Sequence, residues 1–387
     1  MLNARSYLFG TIHVAYTEVW DYVSDKVKEA FDEADSIVFE LKLHDPETIE
    51  TLMRCKNLED GMRIRDILPF DIYMKLKLYM KQFRQNLYQW SYKKHSNSKS
   101  NAKKHARHLY SSLVGDWETK KPVWLLFLLY QISETFTMEK RDSAPMFDVF
   151  LAHKALNQGK RIHSIESPEE QCNPLTSVND EQIVFAINYT LSYLDFISRV
   201  REARNQNGIE NESISQTSME DLIRRYRCGD LEESIFTMKK FAHSGFSVNP
   251  EIDVIAHQID RQIVDDIIVK RNIRMASRIQ GLLQSRPSTS FFFALGTGHY
   301  LGEESIINLL EENGYFVSPV TDDEEILGYL RAAEARGTKF NELWIRDVPE
   351  DKLQISISML EMSNSSCSNF VFSIYLLIFL LMVIFYS

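Results

Sequence analysis

The sequence predicts an α/β fold in which two related β-α-β units form a central sheet with flanking helices. A short pattern occurs twice, as SYLFGTIH at residues 6–13 and as FFALGTGH at residues 292–299. Each copy is an apolar, aromatic-rich run closed by glycine, which is typical of a buried strand that breaks into a turn. Each is followed by a helical pattern and then by another β-like run. Such a crossover connection joins parallel strands.

The first unit follows the first copy of this pattern. Apolar residues recur at helical spacing between Val23 and Ala34, which predicts an amphipathic helix that begins near Thr17. Residues 36–41 then form a short apolar run, with Glu40 near its end. We therefore predict a buried strand that pairs in parallel with the first one.

Residues 48–146 show a mostly helical pattern, which predicts a large helical insertion. Within it, residues 68–80 are predicted to form one amphipathic helix and residues 122–130 a core helix. Residues 90–112 are basic, polar and rich in histidine. Because apolar anchors are sparse there, a solvated loop is favoured over a nucleic-acid patch or a metal-binding tract.

The rest of the chain completes the sheet and its cover. We predict a strand at residues 161–166, with Glu166 near its end, and the second unit at residues 290–320. The remaining predicted elements are helices at residues 147–157, 182–199, 218–241 and 255–283, a helix at residues 303–312, and a final strand at residues 343–345.

Composition bounds the class of protein. The chain has 387 residues, 44% of them hydrophobic and 25% charged, as in ordinary globular proteins. Its formal charge of -10 argues against a nucleic-acid partner, which would need a basic face. The cysteines form no CxxC pair, so they are compatible with one or two disulfides or with free thiols. N-glycosylation sequons, which support a secretory route only weakly, begin at Asn188, Asn211 and Asn364.

The C-terminal region predicts membrane attachment. Residues 370–386 are uncharged and almost wholly apolar, and about 17 such residues is the lower limit for a membrane span. The polar residues before them also fit a lipid-anchor signal. We therefore predict a folded domain at residues 1–347, a stalk at 348–369, and a transmembrane helix or lipid-anchor signal at 370–386. No signal peptide precedes the first strand, so a truncated start is favoured over a tail-anchored protein that faces the cytosol.

Two histidines stand just past predicted strands, where open α/β sheets place their ligands. If the two units pack about a local pseudo-two-fold axis, His13 and His299 can reach one divalent ion at about 2 Å from each nitrogen. Glu40 supplies a carboxylate, and two histidines with one carboxylate suit a metal that activates water. The alternatives are hydrogen-bonded strand-end histidines, and a Glu40 that is paired with Arg271 or Arg274.

Other residues carry weaker signals. For Glu166 and Asp148 the alternative is structural hydrogen bonding at a strand end and on a helix. The sequence has no G-x-S-x-G, no H-E-x-x-H and no phosphate-binding glycine loop, which disfavours a serine hydrolase, a zincin and a kinase.

Several ordered blocks resemble the TraB domain family, and within it the TIKI metalloproteases of animals, which carry paired GxxH motifs. The resemblance covers about residues 6–345. The blocks are YLFGTIHV at residues 7–14, VFEL at 38–41, SIESPEEQ at 164–171, KRN at 270–272 and GTGH at 296–299.

The resemblance implies a membrane-anchored metal-dependent protease that cleaves the amino-terminal region of Wnt proteins and lowers Wnt signalling. It implies Mn²⁺ or Co²⁺ as the cofactor, held by His13, Glu40 and His299. Glu40 or Glu166 would serve as ligand or general base, which makes these four residues the predicted catalytic set. Less well understood family positions match Gln171, Arg271 and Asn272.

The resemblance also implies a location. The expected protein is a single-pass type I protein of the cell membrane with its catalytic domain outside the cell. A glycosylphosphatidylinositol anchor in place of the transmembrane helix is the alternative. Two other functions are weighed against the protease. One is a metal-free His/Glu hydrolase of the erythromycin-esterase type, and the other is a non-catalytic membrane protein that binds a partner.

Overall fold

The computed structural model describes residues 4–94, 98–134, 144–206, 219–231, 246–321, 326 and 354–358. Within these residues, no helix is both long and apolar enough to cross a membrane. The predicted membrane segment at 370–386 and the predicted strand at 343–345 lie outside the described residues.

The centre of the fold is a parallel sheet, which the described residues build from six strands in the order β3-β2-β4-β1-β6-β5. This confirms the predicted α/β class. The strands are β1 (Ser6–Thr11), β2 (Ser36–Phe39), β3 (Arg161–Ser164), β4 (Phe291–Gly296), β5 (Phe316–Pro319) and β6 (Gln354–Ser358).

The two predicted units interleave instead of lying side by side. β1 and β2 are parallel but do not pair with each other, because β4 lies between them. The residues of β4 are buried on both faces of the sheet, and its uninterrupted apolar sequence suits a central strand. The pairing of β1 with β4 nevertheless places the two Gly-Thr-x-His turns at neighbouring strand ends.

The last described strand, β6, corrects the sequence analysis. Residues Gln354–Ser358 fall in the predicted stalk at 348–369, yet they pair in parallel with β1 and with β5. The sequence QISIS alternates polar and apolar residues, which is the pattern of a strand. The sheet therefore extends past residue 347.

Helices cover both faces of the sheet and build the insertion. In the described part of the chain they are α1 (Asp25–Glu33), α2 (Pro46–Cys55), α3 (Phe70–Lys94), α4 (Lys99–Val114), α5 (Pro122–Glu134), α6 (Phe147–Asn157), α7 (Pro168–Cys172), α8 (Asp180–Gln206), α9 (Met219–Cys228), α10 (Pro250–Val264), α11 (Lys270–Ser285) and α12 (Ile306–Glu312).

Capping residues set where two of these helices begin. The side chain of Ser24 accepts a hydrogen bond from the backbone N–H of Val27, so α1 begins at Asp25 and not near Thr17 as predicted. Short 3₁₀ turns occupy the chain before it. Ser305 likewise caps α12, which starts three residues later than the predicted helix at 303–312.

The insertion is more ordered than the sequence predicts. Residues 90–112, predicted as a solvated loop, contain the end of α3 and most of α4. Apolar residues of α4 recur at steps of three and four and are buried, which is the pattern of an amphipathic helix. The predicted helix at 68–80 is the first half of α3, and the predicted core helix at 122–130 is confirmed as α5.

Two apolar layers pack on opposite faces of the sheet. Side chains alternate along β1, so that Phe9 faces the layer containing α1 while Leu8 faces the layer of α11 and α12. Below the site edge, the ring of Phe292 lies 5.6 Å from Phe9 and 5.3 Å from Phe31, measured between centroids. Burial of each such side chain contributes roughly 2–3 kcal/mol, so this cluster holds β4 firmly beside β1.

Two long-range links hold the elements around the carboxyl edge of the sheet. A disulfide joins Cys55 at the end of α2 to Cys172 at the end of α7. The carboxylate of Asp266 accepts hydrogen bonds from the backbone N–H groups of Thr176 and Ser177 at 2.6 and 2.7 Å. It also accepts one from the ammonium of Lys270 at 2.6 Å.

Asp266 should make stability depend on acid pH. Burial acts to raise its pKa, but the bonds from Lys270, Ser177 and Thr176 lower the pKa of Asp266 to about 2, from 3.8. A carboxyl with a lowered pKa stabilises the fold above about pH 4, and that contribution is lost as the pH falls towards 2. Asp266→Asn should be less stable at pH 7, and its stability should change less than wild type between pH 5 and pH 2.

Urea unfolding at several pH values measures this prediction. Asp71→Asn, which changes an exposed carboxylate on α3, is the matched control and should keep the wild-type pH profile. An Asp266→Asn protein that loses stability on acidification as steeply as wild type would contradict the assignment.

Candidate active site

Four polar side chains follow four neighbouring strands at the same edge of the sheet. His13, Glu40, Glu166 and His299 come just after β1, β2, β3 and β4. Because these strands are parallel, their carboxyl ends meet at one edge. All four side chains are buried, with exposed fractions of 6, 9, 4 and 0%. The structure therefore gathers every residue of the predicted catalytic set at one place.

His299 is held by a side chain from α11. Its Nδ1 lies 2.6 Å from the Oδ1 of Asn272, and the Nδ2 of Asn272 donates to the carbonyl of Glu304 at 2.7 Å. Since Nδ2 is the donor of Asn272, its Oδ1 accepts, and the proton of His299 lies on Nδ1. The Nε2 of His299 is buried and has no hydrogen-bond partner among the described residues. That nitrogen presents a free lone pair.

His13 is held in the same way from another element. Its Nδ1 lies 2.5 Å from the Oδ2 of Asp148, the second residue of α6. Backbone bonds dock α6 at this point, since Phe147 donates to the carbonyl of Val14 at 2.8 Å and Tyr16 donates to that of Pro145 at 3.0 Å. The Nε2 of His13 is also buried without a partner in the described chain. Asp148, which carries only a weak functional signal in the sequence, thus contacts a predicted metal ligand.

The two imidazoles differ in their electrostatic environment. Burial, then the charges of Arg271 and His13, hold the pKa of His299 well below its usual range. Burial acts to lower the pKa of His13 too, but the charge and hydrogen bond of Asp148 outweigh it, and the pKa is raised. His299 is therefore neutral at pH 7, which is the form that binds metals and accepts protons.

Glu40 lies between His299 and an arginine. Its Oε2 accepts from Arg271 Nη2 at 2.8 Å, and its Oε1 accepts from the backbone N–H of Gly296 at 2.8 Å. The Nε2 of His299 is 3.8 Å from that Oε1. Burial raises the pKa of Glu40, although Arg271 opposes this. The pairing with Arg271 was one of the alternatives weighed from the sequence, and Arg271, not Arg274, is the partner.

Glu166 is bound on both oxygens. Arg271 donates to Oε1 from Nε at 2.8 Å and to Oε2 from Nη2 at 2.6 Å. Gln171 donates to Oε2 at 2.9 Å. Such a bidentate pair is strong and geometrically specific. Arg271 is itself buried and bridges Glu40 and Glu166, so the three charges form one cluster.

A short π-helical segment positions the residues that hold these groups. The sequence predicts one helix at residues 255–283, and the structure places π-helix at Asp265–Val269, between α10 and α11. Such π-bulges change the register of a helix and are frequent at functional sites. Shortly after this segment, the consecutive residues Arg271 and Asn272 contact different partners. Arg271 binds the carboxylates, and Asn272 binds the imidazole of His299.

Tyr226 contributes to the site without any signal in the sequence. Its hydroxyl donates to the carbonyl of Gly10 at 2.7 Å, and its ring is buried. Gly10 belongs to the first Gly-Thr-x-His turn, so α9 contacts the segment that carries His13. Because 216 residues separate the two partners, no local pattern could reveal the contact.

The donor chemistry of the site fits a divalent metal in part. Two buried imidazole Nε2 atoms have no partner in the part of the chain that the structure describes, and each ring is oriented through Nδ1 by an oxygen, as is usual for histidine ligands. The carboxylate of Glu40 is held by Arg271 and Gly296. Over the residues that the structure describes, no group of three or more His, Cys, Asp or Glu is arranged to hold a metal ion. The three-residue ligand set therefore stays a prediction.

Gly10 is required by the close approach of β1 and β4. A Cβ at Gly10 would lie 2.7 Å from the Oγ1 of Thr297, which donates to the carbonyl of Thr11 at 2.9 Å. Gly10→Ala should push the two histidine turns apart and lower the free energy of unfolding by about 1–3 kcal/mol. Urea denaturation measures the change. Gly281→Ala, on an exposed face of α11 with open space around it, should instead gain about 0.5–1 kcal/mol. Equal effects of both substitutions would contradict this explanation.

Arg271 should be essential to the stability of the site. Arg271→Met leaves Glu40 buried without its cation and Glu166 with only the longer ion pair to Arg274 at 4.0 Å. Breaking a buried pair in this way costs about 3–5 kcal/mol. Arg199→Met removes an exposed partner of Asp195 and should cost less than about 1 kcal/mol. Chemical denaturation of both variants gives the comparison. A loss for Arg271→Met no larger than that of the control would show that the cluster does not carry this energy.

The chain is similar in sequence to known metalloproteases. The chain is 37% identical to metalloprotease TIKI2 of Danio rerio over 325 residues, which are 83% of this chain and 60% of that protein. It is 34% identical to metalloprotease TIKI1 of Homo sapiens over 321 residues, 81% of this chain and 59% of that protein. The chain thus spans about 60% of the length of these relatives. No solved structure matches it significantly.

The family-level match covers most of the chain. The pattern of the TraB/PrgY/gumN family matches residues 3–319, which include all four predicted catalytic residues. The resemblance inferred from the sequence blocks is therefore confirmed at the level of the family. The chain belongs to the TraB/PrgY/gumN family.

Proposed function

We propose that this chain is a metal-dependent protease whose active site is the carboxyl edge of the sheet. One observation carries the proposal. Among the described residues the buried Nε2 atoms of His13 and His299 lack partners, while the Nδ1 atom of each ring is bonded to Asp148 or Asn272. The names of the TIKI relatives, which are metalloproteases, support the same class of reaction.

Some residues of the site would bind the metal, and others would orient the residues that bind it. His13 and His299 would hold a divalent ion through Nε2, and Glu40, whose Oε1 lies 3.8 Å from the Nε2 of His299, would supply the carboxylate. The ion, when bound, polarises a peptide carbonyl and lowers the pKa of a bound water. Asn272 keeps His299 in the tautomer that leaves Nε2 open, and Asp148 orients the ring of His13 through Nδ1.

The two glutamates would have different roles. Glu166 has both oxygens bonded by Arg271 and Gln171, so it orients the guanidinium that holds Glu40. Glu40 has one oxygen within 3.8 Å of His299 and is the better placed carboxylate to accept a proton. Of the two candidates for ligand or general base, the contacts favour Glu40.

We propose Wnt proteins as the substrates, cleaved in their amino-terminal region, and Mn²⁺ or Co²⁺ as the metal. The support is the set of sequence blocks shared with the TIKI proteins. We also propose that the domain lies outside the cell, attached to the membrane through residues 370–386. The disulfide between Cys55 and Cys172 supports this location, since disulfides persist in oxidising compartments.

A metal-free hydrolase is the second candidate. In it the same His and Glu residues would activate water directly, and the observation in its favour is that the Nε2 atoms of His13 and His299 have no partner among the described residues. Activity that survives removal of all metal would favour this alternative.

Cleavage of a Wnt amino-terminal peptide by the full chain in detergent tests the proposal, with mass spectrometry of the products. We expect cleavage that is lost with a chelator and restored by Mn²⁺ or Co²⁺, and lost in His13→Ala and His299→Ala. Calorimetric titration of the metal should show weaker binding to both variants. His108→Ala, on the exposed face of α4, is the control and should behave as wild type. Cleavage that is indifferent to both site histidines would rule the site out.

A further inference from the structure

The α3–α4 hairpin concentrates basic charge on an acidic chain. Residues 70–114 contain ten Lys or Arg and one acidic residue, Asp71, although the whole chain has a formal charge of -10. The sequence alone favours a solvated loop for the most basic part, residues 90–112. The structure instead places most of these residues on two helices, so their charges have defined positions.

The basic residues of α4 lie on its exposed side, while its apolar side is buried against the core. Lys99, Lys103 and Arg107 recur at steps of four, so they form one row along the helix, about 12 Å long at 1.5 Å per residue. Lys104 and His108 form a second row beside the first. All five side chains are exposed. The exposed side of α4 therefore presents a compact set of cations to solvent.

No carboxylate among the described residues neutralises the first row. The sequence has no Asp or Glu from residue 72 to residue 115. Within the part of the chain that the structure describes, Lys99, Lys103 and Arg107 form no ion pair. Like charges at steps of four repel each other and destabilise a helix. The stability of α4 therefore does not explain this row, whereas binding of an anionic ligand would.

Contacts between the two helices show which side of α3 lies beside this row. The guanidinium of Arg84 is 5.6 Å from the ring centroid of Tyr110, and the ring of Trp90 stacks on that of His105 with centroids 5.6 Å apart. Since a later residue of α3 meets an earlier residue of α4, the helices are antiparallel. Arg84 therefore lies about one turn beyond Arg107 and continues the row.

Two tyrosines of α3 lie among these cations. Tyr88 and Tyr92 follow Arg84 at steps of four, so they continue along the same side of α3. The antiparallel register places Tyr88 across from Arg107 and Tyr92 across from Lys103. The tyrosines are 38 and 39% exposed, and their rings stack with centroids 6.4 Å apart. We call the surface made by these residues the basic face: Arg84, Tyr88, Tyr92, Lys99, Lys103 and Arg107.

We propose that the basic face binds a sulfated polysaccharide outside the cell. Sulfate groups keep their negative charge at any physiological pH and form strong charge-assisted hydrogen bonds with Lys and Arg. The apolar C–H faces of sugar rings pack on exposed aromatic rings, which Tyr88 and Tyr92 supply. A linear sulfated chain would thus lie along the hairpin, with its sulfates on the row of cations and its rings on the tyrosines.

The compartment favours this ligand over other polyanions. The disulfide between Cys55 and Cys172 is of a kind that persists in oxidising compartments, which hold neither the bulk of nucleic acids nor the anionic cytoplasmic leaflet. The basic face also has no Leu, Ile, Met or Phe to insert into a lipid layer. This inference rests on the proposed location outside the cell and not on the proposed protease activity.

Binding of the full chain, in non-ionic detergent, to immobilised heparin tests the proposal, because heparin is a sulfated polysaccharide. We expect saturable binding that added salt weakens, since exposed charges are screened by ions. Chemically desulfated heparin, which keeps its carboxylates and its sugar rings, should bind far more weakly. Binding that is equal with and without the sulfates would overturn the proposal.

A charge-reversal variant tests whether the basic face is the site: Lys99→Glu with Lys103→Glu and Arg107→Glu. It should bind heparin at least about tenfold more weakly, because three attractive contacts become repulsive. Its thermal unfolding should stay close to that of wild type, because all three side chains are exposed.

A matched control has the same change of charge at three exposed arginines of α2, β3 and α10: Arg54→Glu with Arg161→Glu and Arg261→Glu. It should bind heparin nearly as wild type does. An equal loss of affinity in the two variants would show a general effect of net charge and would overturn the assignment of the site.

A second variant, Tyr88→Ala with Tyr92→Ala, removes the aromatic rings and no charge. It should weaken heparin binding by about three- to tenfold and leave the dependence on salt unchanged. Wild-type affinity in this variant would remove the sugar-ring contact, and with it the reason to assign the face to a polysaccharide. A DNA duplex that displaces heparin at a lower concentration of charge, through the same three cations, would assign the face to a nucleic acid instead.

Discussion

The ion pairs of Arg271 hold the centre of this structure together. One guanidinium bridges Glu40 and Glu166, and all three groups are nearly inaccessible to water. Taking such charges out of water is unfavourable unless the geometry is good and the remaining polar atoms are bonded. Gln171 and the backbone N–H of Gly296 supply those bonds. The carboxyl ends of β2, β3 and β4 are therefore linked through one side chain of α11.

The histidines complement this cluster because they are bonded on one side only. Each imidazole uses Nδ1 for a protein oxygen, and its Nε2 has no partner among the residues described, whereas the polar atoms of the carboxylates are largely bonded. Asp148 and Asn272 orient the two imidazoles, while Arg271 and Glu166 hold Glu40 beside His299. If the two histidines act on one ligand, as proposed, the two Gly-Thr-x-His turns have to be neighbours. Gly10 has no room for a side chain because β4 approaches so closely.

The helical insertion has a separate character. Its core face completes the apolar layer on one side of the sheet, yet its outer face is apolar and basic. Neither property is needed for the chemistry of the site.

Local patterns determined much of this protein from the sequence alone. The strands β1 to β5, the helices α5, α6 and α8, and the histidines and glutamates that end four strands follow from apolar periodicity and from glycine turns, which act over a few residues. Amphipathic spacing was also present in α4, although the high charge density of residues 90–112 led to the prediction of a solvated loop. The family followed from ordered blocks of sequence.

Only the tertiary structure decided which distant groups meet. Periodicity cannot place β4 between β1 and β2, since strand order depends on which strand is apolar on both faces and on how the crossovers pack. The partners of the site are far apart in the chain: 135 residues separate His13 from Asp148, and 231 separate Glu40 from Arg271. Each pairing is selected by burial, where an unpaired charge is unfavourable, and burial exists only once the sheet and its helices have assembled.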